Sequence, residues 1–89
     1  MTEISYSPRL GLLCAAGHAG AGEKGADLVC AALSILAETA AALPGARVER
    51  GEGFRAIEAE PAALSVLALG FRLLARDFPE HVSYEEDAG

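Results

Sequence analysis

The stretch DLVCAALSILAETAAAL, residues 27–43, predicts the first helix of this chain and sets the order of the elements around it. It contains no glycine or proline, and its alanines and leucines favour a helix. Asp27 at its start is a good N-cap, and Pro44 with Gly45 ends it. The segments on either side of this helix therefore decide the fold class.

A second helix is predicted from Pro61 to about Asp77, because proline suits a first helical turn and Phe78-Pro79 ends the pattern. Extended segments with alternating or apolar patterns fill much of the remaining chain, at residues 3–7, 9–16, 46–50, 54–60 and 81–86. Turn residues around Pro8 and between Gly51 and Gly53 join the first four of them into two hairpins. The order β-β-α-β-β-α-β predicts an α+β two-layer sandwich, with two helices on one face of a mostly antiparallel sheet of about five strands.

Length and charge narrow the function classes. The 89 residues predict one domain over residues 1–89. The net charge of −6, without a basic stripe, argues against direct nucleic-acid binding, because phosphate contacts need clustered lysine and arginine. This charge fits ordinary solubility better than attraction of a basic partner. No apolar window is long enough for a membrane span, no signal peptide is visible, and both thiols are expected to be reduced in the cytoplasm.

No metal or cofactor is predicted. Cys14 and Cys30 fit neither a disulfide framework nor a zinc-binding CxxC pair. The glycine-rich segment at residues 17–25 lacks the arrangement of a phosphate-binding P-loop. It is predicted instead to be a loop whose backbone can move or approach a ligand closely.

Both predicted helices carry unusually little charge. Glu38 is the only charged residue from Leu28 to Leu43, and residues 61–71 contain none. A helix packed on a sheet by one stripe is normally polar on its other side, so these helices predict a second covering surface. A homodimer would supply it. The alternative is that alanine-rich faces are simply tolerated in water.

Cys30 and His18 are the candidate catalytic residues. With Asp27 as the N-cap, Cys30 lies in the first helical turn, where unpaired backbone N–H groups and the helix dipole favour the thiolate. His18 is the candidate base, and a glycine-rich loop joins it to the helix. The free N–H groups would serve as oxyanion donors. The alternative is that Cys30 is a small buried residue and His18 an ordinary loop residue.

Other polar residues have simpler interpretations. Ser34 is one turn after Cys30 on the same helix face, where it either supports the site or bonds back to a helix carbonyl. Asp27 is first of all a cap, with a supporting role towards His18 left open. Cys14 is predicted to be a core residue by its strand parity, and His81 is predicted to be a surface residue.

The residues GHA at 17–19, followed by DLVCAALSIL at 27–36, resemble the signature of the bacterial ribosomal-processing cysteine proteases, the Prp or YsxB-like family. The family pattern is a strand ending in GHA, a glycine-containing loop, and D-[IL]-V-C-A-x-x-S on a helix. A weaker resemblance extends over nearly the whole chain. It implies a small sandwich fold, usually dimeric, with Cys30 as the nucleophile, His18 as the base, and Asp27 and Ser34 in supporting positions.

The resemblance also implies a substrate. Members of this family remove an N-terminal extension from large-subunit ribosomal protein twenty-seven, after an aromatic residue in a short hydrophobic motif. The loop between the two motifs would then be the substrate loop, with the following small residues: Gly17, Ala19, Gly20, Gly22 and Gly25. Two other functions remain open, a noncatalytic dimeric protein that binds a basic segment and a thiol redox sensor.

Overall fold

The computed structural model describes residues 1–17 and 26–87. It has the predicted order of elements: β1 Thr2–Ser7, β2 Leu12–Gly17, α1 Ala26–Ala41, β3 Arg47–Gly51, β4 Phe54–Glu58, α2 Pro61–Asp77 and β5 Val82–Glu86. Both hairpins are present, since β1 pairs antiparallel with β2 and β3 pairs antiparallel with β4. The predicted α+β sandwich is confirmed.

The strands form one five-stranded sheet in the order β3-β4-β2-β1-β5. The two hairpins join through antiparallel pairing of β2 with β4, which places β2 near the centre. β5 pairs parallel with β1 because the chain crosses over through α2 before it returns to the sheet. The sheet is therefore mostly antiparallel, with one parallel edge.

Both helices pack on one face of the sheet and enclose a single core. The strands contribute large apolar side chains to it, and the helices contribute both large residues and alanines. Its buried members are Ile4, Tyr6, Leu13, Val29, Leu33, Ala37, Ala40, Ile57, Leu64, Ala68, Phe71 and Val82. The alanines let the helices lie close to the sheet and to each other.

α2 has a well-defined start. The carboxylate of Glu60 accepts hydrogen bonds from the backbone N–H groups of Ala62 and Ala63, at 3.1 and 2.9 Å. Pro61 follows as the first helical residue, where its missing N–H costs nothing. α2 is thus fixed by its own local sequence before packing adds to its stability.

The structure corrects the prediction for Cys14. Leu13 is completely buried, and Ala15 packs against the core, so the helices cover the odd-numbered side of β2. Cys14 is half-buried on the opposite face, paired with Ser5 of β1 and Ala56 of β4. The sequence did not reveal this because both sides of β2 are apolar, and strand alternation alone does not say which side meets the helices.

The prediction for His81 is also wrong. Its exposed fraction is 5%, because the chain folds back sharply after α2. The backbone N–H groups of His81 and Val82 both donate to the carbonyl of Phe78, at 3.0 Å each. The His81 carbonyl accepts from the N–H of Thr2 at 2.9 Å, which places the histidine against the start of β1.

α1 begins at Ala26, so Asp27 is its second residue and lies inside the first turn instead of capping it. Cys30 is consequently the fifth residue of α1. Its backbone N–H is in position to bond the carbonyl of Ala26, by the ordinary helical pattern. The N–H groups of Ala26, Asp27 and Leu28, in the first turn, have no partner within the helix itself.

Neither helix in the described part of the chain has the length and apolar character needed to cross a membrane.

Candidate active site

Cys30 and Ser34 lie on one flank of α1, separated by a single turn. Both side chains are exposed, while Val29 and Leu33, one position before each, are buried in the core. This alternation follows from the helical period, which places residues four apart on the same stripe. The core-facing stripe thus holds the helix in place, and the neighbouring stripe presents the thiol and the hydroxyl to solvent.

An open cavity of about 310 Å³ runs along this stripe, between α1 and the sheet. Residues of α1 form one wall, residues of β1, β2 and the β3–β4 hairpin form the other, and Phe71 of α2 completes the lining. The lining residues are Thr2, Ala15, Gly17, Cys30, Leu33, Ser34, Ala37, Gly51, Gly53, Phe54, Arg55 and Phe71. The structure therefore brings Cys30, Ser34 and Gly17, three of the predicted site residues, to one cavity.

Gly17 lines this cavity in a conformation that its neighbours fix. Gly17, at the end of β2, has a φ of 92°, and an added Cβ would clash with the carbonyl oxygen of Met1. Its backbone N–H donates to the carbonyl of Gly53 at 2.8 Å. Only glycine fits this conformation and this close approach. The bond fixes the end of β2 to the β3–β4 turn, directly before the segment that carries His18.

An ion cluster lies on the same flank of α1. The Glu38 carboxylate oxygen Oε1 is 2.6 Å from Nη1 of Arg55 and 3.3 Å from Nη1 of Arg50. Arg55 lines the cavity, although the sequence reasoning did not select it. A signal was present, because Glu38 follows Ser34 by four residues and Cys30 by eight, and so continues the same stripe.

The remaining predicted site residues are not placed. His18, Ala19, Gly20, Gly22 and Gly25 lie outside the described residues, and only the backbone of Asp27 is described. Within residues 1–17 and 26–87, no group of three or more His, Cys, Asp or Glu side chains is arranged to hold a metal ion.

The geometry supports nucleophilic chemistry by a thiol. Cys30 is a free, exposed cysteine on a helix that the core holds rigidly, and it borders a cleft open to a large ligand. Thiol nucleophiles need such access to an approaching carbonyl group. The fold and this cleft are those of an α+β protein with a candidate site beside Cys30.

The chain matches the family model described as cysteine protease Prp over residues 3–83, and it belongs to this family of cysteine proteases. The match includes Cys30, Ser34 and all of the sheet except Thr2 and the last three residues of β5. No curated protein matches the chain.

The solved structures that share the fold include the following three. A Streptococcus mutans protein, SMU.848, is 25% identical with a TM-score of 0.69, and the match covers 96% of this chain and 90% of that one. The Staphylococcus aureus ribosomal processing protease Prp with a covalently linked product peptide is 17% identical with a TM-score of 0.70, covering 98% and 100%. The same protease with a substrate peptide is 16% identical with a TM-score of 0.71, again covering 98% and 100%.

Proposed function

We propose that this chain is a cysteine endopeptidase. Its substrate is the homologue of large-subunit ribosomal protein twenty-seven, from which it removes an N-terminal extension. The observation that carries the proposal is the common cavity of Cys30, Ser34 and Gly17, the residue directly before His18. Membership of the Prp family supports it, and so does the shared fold with the S. aureus ribosomal processing protease, which has been solved with a product peptide and with a substrate peptide.

In the proposed mechanism, the peptide lies extended in the cavity beside the segment 17–25. The Cys30 thiolate attacks the carbonyl carbon of the scissile bond and forms a tetrahedral intermediate. His18, protonated, donates its proton to the leaving amine, and an acyl-enzyme thioester remains. His18 then takes a proton from water, whose oxygen attacks the thioester carbonyl; the carbon–sulfur bond breaks, the new carboxyl terminus is released, and the Cys30 thiolate and protonated His18 are restored.

Supporting roles follow from position. Ser34, one turn along the exposed stripe, is suited to hydrogen-bond the peptide backbone next to the thiol. The backbone N–H groups of the first turn, that of Asp27 among them, have no partner within the helix and are suited to stabilise the oxyanion. Gly17 would anchor the start of the segment, and the small residues Ala19, Gly20, Gly22 and Gly25 would let the rest of it adapt to the peptide.

Substitution of the two cysteines tests the proposal. Cys30→Ala is expected to abolish cleavage of a peptide that spans the junction between the extension and the mature ribosomal protein, as followed by mass spectrometry. Cys14→Ala is the matched control, since Cys14 lies on the other face of the sheet, and it should retain full activity. Cleavage that survives in Cys30→Ala would exclude Cys30 as the nucleophile.

A second experiment tests the pairing of His18 with Cys30. Cys30 is exposed and Cys14 is half-buried, so faster alkylation of Cys30 would follow from access alone. Activation is tested by alkylating Cys14→Ala with and without His18→Ala, at several pH values. We expect His18→Ala to slow the alkylation of Cys30 near neutral pH. An unchanged rate in His18→Ala would refute the pair and favour a thiol that acts without a base.

We further propose that residues 1–89 act as one domain in the cytoplasm, as a homodimer through the outer surface of the helices. Several large apolar side chains are exposed there, at helical spacing: Leu28, Ile35, Val66, Leu69 and Leu73. Free cysteines suit a reducing compartment. Sedimentation of Ile35→Glu and Val66→Glu, with Leu10→Glu in the β1–β2 turn as the control, tests the interface. A wild-type monomer at tens of micromolar would overturn it.

A further inference from the structure

The ion cluster beside the cavity has an excess positive charge. Arg50 of β3 and Arg55 of β4 are directly paired across the hairpin, and both guanidinium groups meet the single carboxylate of Glu38. Two guanidinium groups and one carboxylate leave one positive charge. The chain as a whole has a net charge of −6, so this local excess is opposite in sign to the rest of the protein.

The distance between the cluster and the nucleophile follows from the geometry of the helix. Glu38 follows Cys30 by eight residues, and a helix rises about 1.5 Å per residue, so the two positions are about 12 Å apart. An extended peptide advances about 3.3 Å per residue. A peptide laid along the exposed stripe of α1 therefore reaches the cluster three or four residues from its scissile bond.

Stability does not account for the cluster. The Arg50 and Glu38 side chains are 50% and 53% exposed, and ion pairs this exposed contribute little to folding. Arg55 is more enclosed, at 28%, because it forms part of the cavity wall. Enclosure reduces solvent screening, so Arg55 is the member best able to attract a charged group of a ligand.

Arg55 retains donors for such a ligand. A guanidinium group has five N–H donors in a planar fork that matches a carboxylate. In the hydrogen bonds and ion pairs among the described residues, Arg55 meets Glu38 through Nη1. Glu38 thus holds one side of the fork and leaves the other for an incoming carboxylate. Lysine could not bind two carboxylates on separate sides in this way, because its charge is concentrated on a single ammonium group.

We propose that Arg55, assisted by Arg50, forms a specificity subsite that binds an aspartate or glutamate side chain of the substrate, three or four residues from the scissile bond. The inference rests on the proposed peptidase function and adds a charge preference to it. Arg55 contacts the substrate directly. Glu38 is a positioning residue, which fixes the guanidinium group of Arg55 against the cavity wall.

The test combines paired peptides with paired variants. The peptides carry glutamate or glutamine at each position from five residues before to five after the scissile bond, with blocked ends so that no terminal charge interferes. The enzymes are the wild type, Arg55→Gln and Arg47→Gln. Arg47→Gln removes the same charge from β3, but Arg47 is three residues from Arg50 and points to the opposite face of the sheet.

We expect the wild type to prefer glutamate by about tenfold in kcat/KM at one position, three or four residues from the scissile bond, as for one charge-assisted hydrogen bond. Arg55→Gln should reduce this preference to near unity, and Arg47→Gln should retain it. Glu38→Gln should shift the preference and leave the thermal unfolding temperature close to that of the wild type, since the exposed pair adds little stability.

Two results overturn the inference while the peptidase function stands. One is cleavage without any glutamate preference, and the other is a preference that Arg55→Gln and Arg47→Gln reduce equally, which would show a general charge effect. If the wild type cuts no peptide, the proposed function fails instead. The binding of the same peptides to Cys30→Ala, with and without Arg55→Gln, is then measured by fluorescence anisotropy. If the glutamate peptides bind no better than the glutamine peptides, or if Arg55→Gln leaves the difference unchanged, the subsite is overturned as well.

Discussion

α1 and α2 lie in the same layer, but their surroundings differ. α2 packs against β5 and β2 and buries Leu64, Ala68 and Phe71 completely or nearly so. α1 lies closest to α2, and its opposite flank, with Cys30 and Ser34, borders the open cavity. This small fold therefore separates its tasks. α2 closes the core, and α1 uses the support of α2 to hold an exposed thiol in a fixed position.

Loss of core packing under α2 is expected to have the largest effect on stability. Leu64 is fully buried and does not line the cavity. Leu64→Ala should lower the free energy of unfolding by about 2–5 kcal/mol, through lost burial and the void left behind. Chemical denaturation measures this. Leu10→Ala, at a position that is 56% exposed, is the control and should change stability by less than about 0.5 kcal/mol. Equal effects of the two changes would contradict the separation of tasks.

Substitution of Gly17, which lines the cavity, is expected to lower both stability and peptide cleavage. Gly17→Ala combines a strained φ with a clash against the Met1 carbonyl, whereas Gly45→Ala meets only the strain, since Gly45 has a φ of 75° and open space around it. We expect Gly45→Ala to cost about 1–2 kcal/mol and Gly17→Ala to cost more. Gly17→Ala should also reduce peptide cleavage at temperatures where it remains folded. If both variants cut equally well, the end of β2 does not position the site.

Removal of the N-terminal cap of α2 is expected to have a smaller effect on stability. Glu60→Ala removes the acceptor for the N–H groups of Ala62 and Ala63. It should lower the free energy of unfolding by about 1 kcal/mol, as measured by thermal unfolding. Glu58→Ala removes an exposed carboxylate two residues earlier and serves as the control. Peptide cleavage should be unchanged in both. A loss of activity in Glu60→Ala at full folding would show that α2 influences the site directly.

The smallest effect is expected where the two helices touch. A Cβ at Gly70 would lie 2.9 Å from Cδ2 of Leu36, the flexible end of a side chain. Gly70→Ala gains helix propensity, about 1 kcal/mol, and this offsets the displacement of Leu36. The net change in unfolding free energy should stay within about 1 kcal/mol. A loss well above this value would show that the spacing of the helices is rigid, and cleavage of the same variant would then report whether that spacing sets the cavity width.

Local sequence patterns predicted much of the fold. The end of α1 before Pro44, the start of α2 at Pro61, the two hairpins and the stripe that joins Cys30 to Ser34 all depend on residues close together in the chain. The same local signals misplaced the start of α1 at Asp27, because an acidic residue inside a first turn resembles a cap.

Long-range contacts decided what local patterns left open. Cys14 points away from the core, because the pairing of β2 with β1 and β4 determines which of the two apolar sides of β2 faces the helices. His81 was buried because the turn after α2 returned it to the start of β1. Neither contact leaves a trace in a short stretch of sequence, since each joins residues far apart in the chain.

The sequence by itself determined the order of elements and the Cys30–Ser34 stripe, because helical period and turn chemistry act over a few residues. Its resemblance to a peptidase family added the catalytic interpretation of Cys30. Only the tertiary structure decided that this stripe borders an open cavity, and that Arg55 of a distant hairpin meets Glu38 at its side. The reason is physical: a cleft is formed by surfaces that separate parts of the chain bring together, and its charge belongs to all of them.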